Sequence, residues 1–168
     1  MQKDDHREAF EALFRTFQPA LVRFAYAQLR SQEESREAVQ EVFIKIWDKR
    51  GDLEFSSELK AYLYRSVRNN CLNRLKRLRM ESLSEENRDL PAPEPEDAGN
   101  DEKATRIKAI FREIDQLPDR AREIFLMSRV EGLSHKEIAV VLGLSPKTVE
   151  NQVGIALKKI RKGVFKQK

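Results

Sequence analysis

The sequence predicts an all-α fold in which two small helical domains are joined by a flexible linker. Three observations carry this expectation. Apolar residues recur at three- and four-residue steps through most of the 168 residues, the spacing of one helix face. Only six glycines occur, against 36% charged and 40% hydrophobic residues, a balance that suits small helical bundles rather than a large sheet. Composition breaks sharply once, over residues 80–103, where Pro91, Pro93 and Pro95 sit among acidic residues with almost no large apolar side chain. Such a stretch cannot bury enough surface to fold. The expected domains are residues 1–79 and 104–168, and a tether of about two dozen residues spans at most ~80 Å at ~3.3–3.6 Å each.

In the first domain, Phe10, Leu13, Phe14, Phe17, Leu21, Phe24, Ala25 and Leu29 mark an amphipathic segment over residues 8–30. Pro19 is expected to separate it into two pieces, because proline removes a helical donor. Residues 31–35 are polar and read as a turn. The next helix turns Ala38, Val39, Val42, Phe43, Ile46 and Trp47 inward, with Trp47 as a core anchor, and carries Glu37, Gln40, Glu41 and Lys45 on its other face. By default such charges are a solvated face. Residues 48–57 contain Gly51 and few apolar side chains, and read as a loop.

Over residues 58–79, Tyr64, Val67, Cys71, Leu75 and Leu78 line one helical face. Cys71 is most simply a small core residue. Arg65, Arg68, Asn69, Asn73, Lys76 and Arg79 lie opposite, and no acidic residue occurs from Lys60 through Arg79. A face of one sign repels itself unless a polyanion is near, which makes it a candidate nucleic-acid surface, the alternative being a merely solvated basic face. Tyr62 and Tyr64, near its start, offer rings on which unpaired bases could stack.

The second domain opens with an apolar stripe of Ile107, Ile110, Phe111, Ile114 and Leu117. Pro118 starts the next helix, with Ala121, Ile124, Phe125, Met127 and Val130 as core candidates and Gly132 at its end. Two capped helices follow. Ser134 with Glu137 has the capping-box spacing, and Ile138, Ala139, Val141 and Leu142 make an apolar face. Gly143 stands where a left-handed residue would close the helix. Ser145-Pro146 opens the last helix, with serine as N-cap and proline at the first helical position. Val149, Val153, Ala156, Leu157 and Ile160 fall on one side; Lys147, Asn151, Gly154 and Lys158 fall on the other, flanked by Glu150 and Ile155. This is the pattern of a helix-turn-helix, whose second helix enters a major groove. An ordinary helical hairpin would not call for the glycine turn, the capped second helix and the basic residues together. Gly163 and the lysine-rich end are expected to fray.

Several classes are excluded. One cysteine allows no intrachain disulfide and no cysteine-rich zinc site, and His6 and His135 lie far apart, so no metal or cofactor is expected. No phosphate-binding glycine loop, HExxH helix or Gly-x-Ser-x-Gly elbow occurs, so no catalytic residues are assigned and the chain is not expected to be an enzyme. The net charge of +4 is modest, so its arrangement matters more than its sum. Met1 is followed by charged residues without an apolar run, and no stretch approaches a membrane span; a soluble, cytoplasmic protein without membrane insertion is expected.

The run Val39-Gln40-Glu41-Val42-Phe43-Ile44-Lys45-Ile46-Trp47, followed by Tyr62-Leu63-Tyr64-Arg65-Ser66-Val67-Arg68-Asn69, resembles sigma region 2. Leu117-Pro118 through Thr148-Val149-Glu150-Asn151 resembles sigma region 4. Together, in this order and spacing, they resemble the extracytoplasmic-function (ECF) sigma factors, promoter-recognition subunits of bacterial RNA polymerase within the sigma-70 superfamily. The resemblance implies a chain that binds core RNA polymerase and promoter DNA, that meets an anti-sigma factor, and that is monomeric when free or in holoenzyme. It implies that the region 2.2 helix binds the clamp helices of the polymerase with Glu37, Gln40 and Glu41, and Lys45 shares that face. Regions 2.3 and 2.4 would melt and read the −10 element through the 48–59 loop and through Tyr62, Arg65, Arg68, Asn69, Asn73 and Lys76. Region 4.2 would read the −35 element through Lys147, Thr148, Glu150, Asn151, Gly154, Ile155, Lys158 and Arg161. The acidic linker would thread near the active centre and the RNA exit path. The chain departs from the family at Tyr62, where tryptophan is frequent, and at Asn73, where aspartate is. Glu150 and Ile155 replace common basic side chains, and Gly154 presents none.

Two other readings compete on residue chemistry. One is a helix-turn-helix regulator acting without polymerase, since LuxR-type regulators carry a similar Lys-Thr-Val-Glu-Asn run. The other is an enzyme on nucleic acid, which the missing carboxylate or nucleophile cluster disfavours.

Overall fold

Helices alone make up the regular structure of the described residues in a computed structural model covering 2–50, 58–82 and 102–165. They fall into two compact units, Met1–Leu90 and Pro91–Lys168.

The first unit holds α1 (Gln2–Leu29), α2 (Gln32–Asp48) and α3 (Leu59–Ser82). Helix α1 is one continuous helix rather than two pieces, and it begins at Gln2. Pro19 sits inside it, exposed, and so is Arg15, whose carbonyl loses the proline's missing N–H. On a solvent-facing side water can replace that bond, so the helix is not broken. Asp4 and Asp5 in the first turn complement the helix dipole. Arg30 ends α1 at φ 56°, donating its N–H to the Tyr26 carbonyl at 2.9 Å.

Residues 31–35 are the start of α2 and not a separate turn. Ser31 is the N-cap, its Oγ accepting from Glu34 N at 3.3 Å, and Ser35 Oγ donates to the Ser31 carbonyl at 2.6 Å. The polar composition reflects capping chemistry, not loss of helix. Phe10 meets Phe43 and Trp47, and Phe14 meets Phe43, so α1 and α2 run antiparallel. Trp47 is half-buried, with the Arg50 guanidinium 4.3 Å from its ring centre, so it edges the core rather than anchoring it.

Helix α3 buries Leu63, Tyr64, Val67 and Cys71, but Leu78 is 39% exposed. Leu78 instead borders a polar depression with Arg74, Arg77 and the Glu34, Glu37 and Glu41 side chains of α2, so it meets charged groups rather than a closed apolar seam. Helix α3 continues to Ser82 and the next helix starts at Glu102, each slightly inside the 80–103 stretch. The remainder of that stretch, 83–101, lies outside the described residues, as do 51–57 of the expected loop.

The second unit holds α4 (Glu102–Asp115), α5 (Asp119–Arg129), α6 (His135–Leu142) and α7 (Pro146–Phe165). One core cluster joins Ile114, Leu117, Ala121, Phe125, Ala156 and Ile160, with Leu126, Leu157 and Val164 against it. Of the stripe expected to open this domain, Ile114 and Leu117 are buried, Leu117 just past the end of α4, whereas Ile107, Ile110 and Phe111 are half-exposed. Glu113 abuts Gly163 near the end of α7, so the first turns of α4 extend beyond that helix. Gly163 therefore lies within α7, not in a frayed tail, and residues 166–168 are outside the described set. Val130, expected in the core, caps α5 and is 46% exposed. Arg122 ties α4 to α5, its Nη2 donating to the carbonyls of Asp115 (2.9 Å) and Leu117 (3.0 Å) and its Nε to that of Ile114 (3.4 Å). The Ile114 and Asp115 carbonyls belong to the last turn of α4 and that of Leu117 to the turn beyond it, so a fixed cation there satisfies acceptors at a helix C-terminus and favours its dipole.

Candidate nucleic-acid interface

Local sequence builds the α6–α7 pair. Ser134 Oγ accepts from Glu137 N at 3.1 Å, and Glu137 Oε1 accepts from Ser134 N at 2.9 Å, a complete capping box. Gly143 closes α6 at φ 68°, ψ 37°, and Leu144 N reaches the Ala139 carbonyl at 3.0 Å. A side chain in that left-handed conformation would crowd its own backbone. Ser145 Oγ accepts from Thr148 N at 3.1 Å and opens α7. Ile138, Ala139 and Val141 on α6, with Val149, Val153, Ala156 and Ile160 on α7, are buried.

That packing decides what α7 offers to solvent. Lys147, Thr148, Glu150, Asn151, Gly154, Ile155, Lys158 and Arg161 are all exposed. They are not chemically equivalent. The Thr148 hydroxyl is shared with Ser145 Oγ at 2.8 Å, part of the cap. Lys147 Nζ and Glu150 Oε2 are 3.6 Å apart, an exposed pair worth little energy, but it turns Glu150 toward a cation on its own helix. No space within 4 Å is contested beside Gly154, so a ligand backbone could come close there.

On the first unit, Arg65, Asn69, Asn73, Lys76 and Tyr62 are exposed and Arg68 is half-buried. Tyr64 is not available for stacking. It is 1% exposed and packs edge-on against Phe24, with centroids 5.1 Å apart.

The exposed acids of α2 are engaged in a way that sequence reading missed. Arg74, only 6% exposed, projects from α3 into α2. Its Nη1 contacts Glu34 Oε2 and, at 3.3 Å, Glu37 Oε2; its Nη2 contacts Glu41 Oε1 at 2.5 Å. Asn70 Nδ2 donates to Glu41 Oε2 and to the Ala38 carbonyl, both at 2.9 Å. The Asn70 bond and then the Arg74 charge hold the Glu41 carboxyl below its ordinary pKa, against the opposing cost of burial. Burial acts to lower the Arg74 pKa, yet the Glu34 bond and the Glu41 and Glu37 carboxylates outweigh it and raise the value. Arg74 shares the register of Val67, Cys71 and Leu78, so a cation in an apolar register was the signal available.

Gln40 and Lys45 are exposed and outside this network. Gln40 instead borders a groove of about 510 Å³ between α1 and α2, lined mainly by Phe10, Phe14, Phe43, Ile44 and Trp47. Among the described residues no group of acidic, histidine or cysteine side chains could hold a metal ion, and no helix is long and apolar enough to cross a membrane.

Comparison with known proteins places both units. A family described as Sigma-70 region 2 matches residues 13–80, and one described as Sigma-70, region 4 matches residues 107–160. The RNA polymerase sigma factor CnrH of Cupriavidus metallidurans is 30% identical over 137 residues, 74% of this chain and 70% of its own length. The ECF RNA polymerase sigma factor SigE of Mycolicibacterium smegmatis is 28% identical over 151 residues, 86% of this chain, which spans 57% of that relative. The ECF sigma factor RpoE of Cereibacter sphaeroides is 26% identical over 94% of this chain and 88% of its own. Among solved structures, the sigma factor RpoE bound to the anti-sigma factor NepR, from Bartonella quintana, matches with TM-score 0.71 at 21% identity, over 94% of this chain and 97% of that one. CnrH in complex with the cytosolic domain of CnrY matches with TM-score 0.61 at 22% identity, over 93% and 87%. At these identities the shared property is the fold.

Proposed function

Because the chain belongs to the ECF sigma factors of bacterial RNA polymerase, we propose that it binds core polymerase and directs it to promoters, acting without catalysis of its own. The observation that carries this is the occurrence, in order along one chain, of a region 2 match on the three-helix unit and a region 4 match on the unit that carries the helix-turn-helix. A regulator with only a helix-turn-helix would have no use for the first.

In this reading α7 enters the major groove at the −35 element. Lys158 and Arg161 hold phosphates, which adds affinity but no sequence information. Asn151 presents a donor and an acceptor together, the pair that matches adenine, and Ile155 offers an apolar surface to a thymine methyl. Glu150 can accept from a cytosine amino group only by loosening its pair with Lys147. On α3, Arg65, Arg68 and Lys76 bind the −10 backbone, while Asn69, Asn73 and Tyr62 discriminate or stack on bases. The face with Glu37, Gln40, Glu41 and Lys45, with the adjoining aromatic groove, docks on the polymerase. An anti-sigma factor, as in the Bartonella quintana complex, and a cytoplasmic location belong to the same proposal.

The test is transcription reconstituted from purified core polymerase, this protein and a cognate promoter. Initiation that depends on the protein supports the proposal. Tight, specific promoter binding by the protein alone, with no effect on polymerase, would replace it with the helix-turn-helix regulator.

A further inference from the structure

We propose that Arg74 is a positioning residue for polymerase binding: its buried guanidinium fixes the carboxylates of Glu34, Glu37 and Glu41 into a preset pattern and offsets one of their three charges. The inference rests on the reading of α2 as the polymerase-facing helix, and it adds a residue from the opposite, DNA-facing helix to that interface.

The geometry supports more than packing. Position 74 follows Val67 and Cys71 in the inward register of α3, where an aliphatic side chain would fill the seam. Replacing buried ionic groups with apolar ones of similar volume is often neutral or stabilising, so stability alone does not call for arginine here. The fork spans about two turns of α2, from Glu34 to Glu41. Glu41 is held at both oxygens, one by Arg74 and the other by Asn70, so its carboxylate cannot rotate without losing a bond. All three acids nevertheless remain partly open to solvent, at 36%, 51% and 48% of their side chains. They are clamped from beneath and readable from outside. A long side chain ordered before binding does not lose that freedom during binding, which slows dissociation. A counter-charge beneath the acids also softens their long-range attraction for a basic partner.

The experiment uses the full chain with purified core polymerase, following association and dissociation across a salt series. Arg74→Met removes both fork and charge; Arg74→Lys keeps the charge, but its donors sit on one nitrogen and cannot reproduce the separated Nη1 and Nη2 contacts to Glu34 and Glu41. Circular dichroism establishes that each variant is folded. The expected result is dissociation about ten-fold faster for both variants, with a steeper salt dependence of association for Arg74→Met only. A purely structural arginine would lower the melting temperature and leave both rates of the folded variants unchanged. That outcome overturns the proposal, as does wild-type dissociation of Arg74→Lys if Arg74→Met does not fold. Gln40→Ala and Lys45→Ala, both exposed and outside the network, separate the two levels. If neither weakens core binding, the polymerase reading of α2 fails; if they do while the Arg74 variants dissociate normally, only the positioning role fails.

Discussion

Two valines in the helix-turn-helix allow burial to be tested with the chemistry held constant. Val149 on α7 is 0% exposed, whereas Val140 on α6 is 51% exposed. Changing either to alanine removes the same two methyl groups from a helical position and gives the same small gain in helix propensity. At Val149 the lost transfer energy is about 1.6 kcal/mol, at ~0.8 kcal/mol per carbon. The residual cavity left at this fully buried position raises the total to roughly 2–3 kcal/mol. At Val140 the change should stay within about 0.5 kcal/mol. A domain of this size loses ~4–8 °C per kcal/mol, so the two variants should melt ~6–24 °C apart. Circular dichroism of the full chain follows the melting, and hydrogen exchange of the α6 and α7 amides assigns the transition to the second unit. Val149→Asp is the severe version. It buries a charge without a partner and should unfold α6 and α7 at room temperature while α1–α3 keep their protection. Equal costs at Val140 and Val149 would refute the reasoning, because exposure is the variable that separates them.

Three further outcomes are expected. Arg122→Met should lower the stability of the second unit by about 1.5–3 kcal/mol, since two carbonyls at the end of α4 and one in the turn beyond it lose a charged donor, and exchange should quicken first around residues 114–118. Burial pushes the Cys71 thiol up to about 11 from an ordinary 9.0, with the Arg74 charge opposing. The unfolded thiol then ionises first, so this contribution is intact below pH 9.0 and is lost as pH rises to about 11. Melts from pH 7 upward should show a flatter alkaline decline in Cys71→Ala, and a thiol reagent should label native Cys71 only as fast as the first unit opens. Asn151→Ala should relax preference at one base of the −35 element at a cost of about 1–3 kcal/mol, whereas Lys158→Ala should weaken all sequences alike and reduce the salt slope by roughly 0.9. A promoter library bound to reconstituted holoenzyme distinguishes them, and uniform weakening by Asn151→Ala would make Asn151 a backbone contact.

What was legible in the sequence was what neighbours in sequence decide. Ser134 with Glu137, Gly143, and Ser145 before Pro146 each act within one turn, and all appear in the structure as caps or turns with the expected partners. Periodicity gave faces correctly but not how far a partner helix extends. Ile107, Ile110 and Phe111 share a face with buried Ile114 but lie past the end of α7, and Leu78 shares one with Cys71 but borders the charged cluster around Arg74, so all are left half-open. Val130 failed for a related reason, because α5 ends before it. Pro19 and Ser31 depend on context that the residue type does not carry: proline breaks a helix least where water can replace the lost donor, and a polar run before an apolar period is as much a cap as a turn. The Arg74 network was out of reach of local reasoning. Its bonds join residues 33–40 positions apart, and only the unexpected cation in an apolar register hinted at it.

That network also bears on how α3 tolerates having no acid from Lys60 through Arg79. A helix this rich in cations would repel itself if every charge faced solvent. Instead the charges are partitioned by side. Arg74 is neutralised across the seam by α2, and Arg77 lies close enough to act on Glu41. The acids of α2 thus offset the inner edge of α3, while Arg65 and Lys76, exposed on the far side, lie outside that network. The field of the helix is displaced outward, toward the face proposed to meet the −10 phosphates. Neutralising Glu41 alone would shift that balance twice over: it weakens the clamp on α3 and leaves its inner edge more positive. Substitutions meant to probe polymerase contact at Glu37 or Glu41 will therefore also perturb DNA-facing α3, whereas Gln40 and Lys45, outside the network, report on polymerase alone.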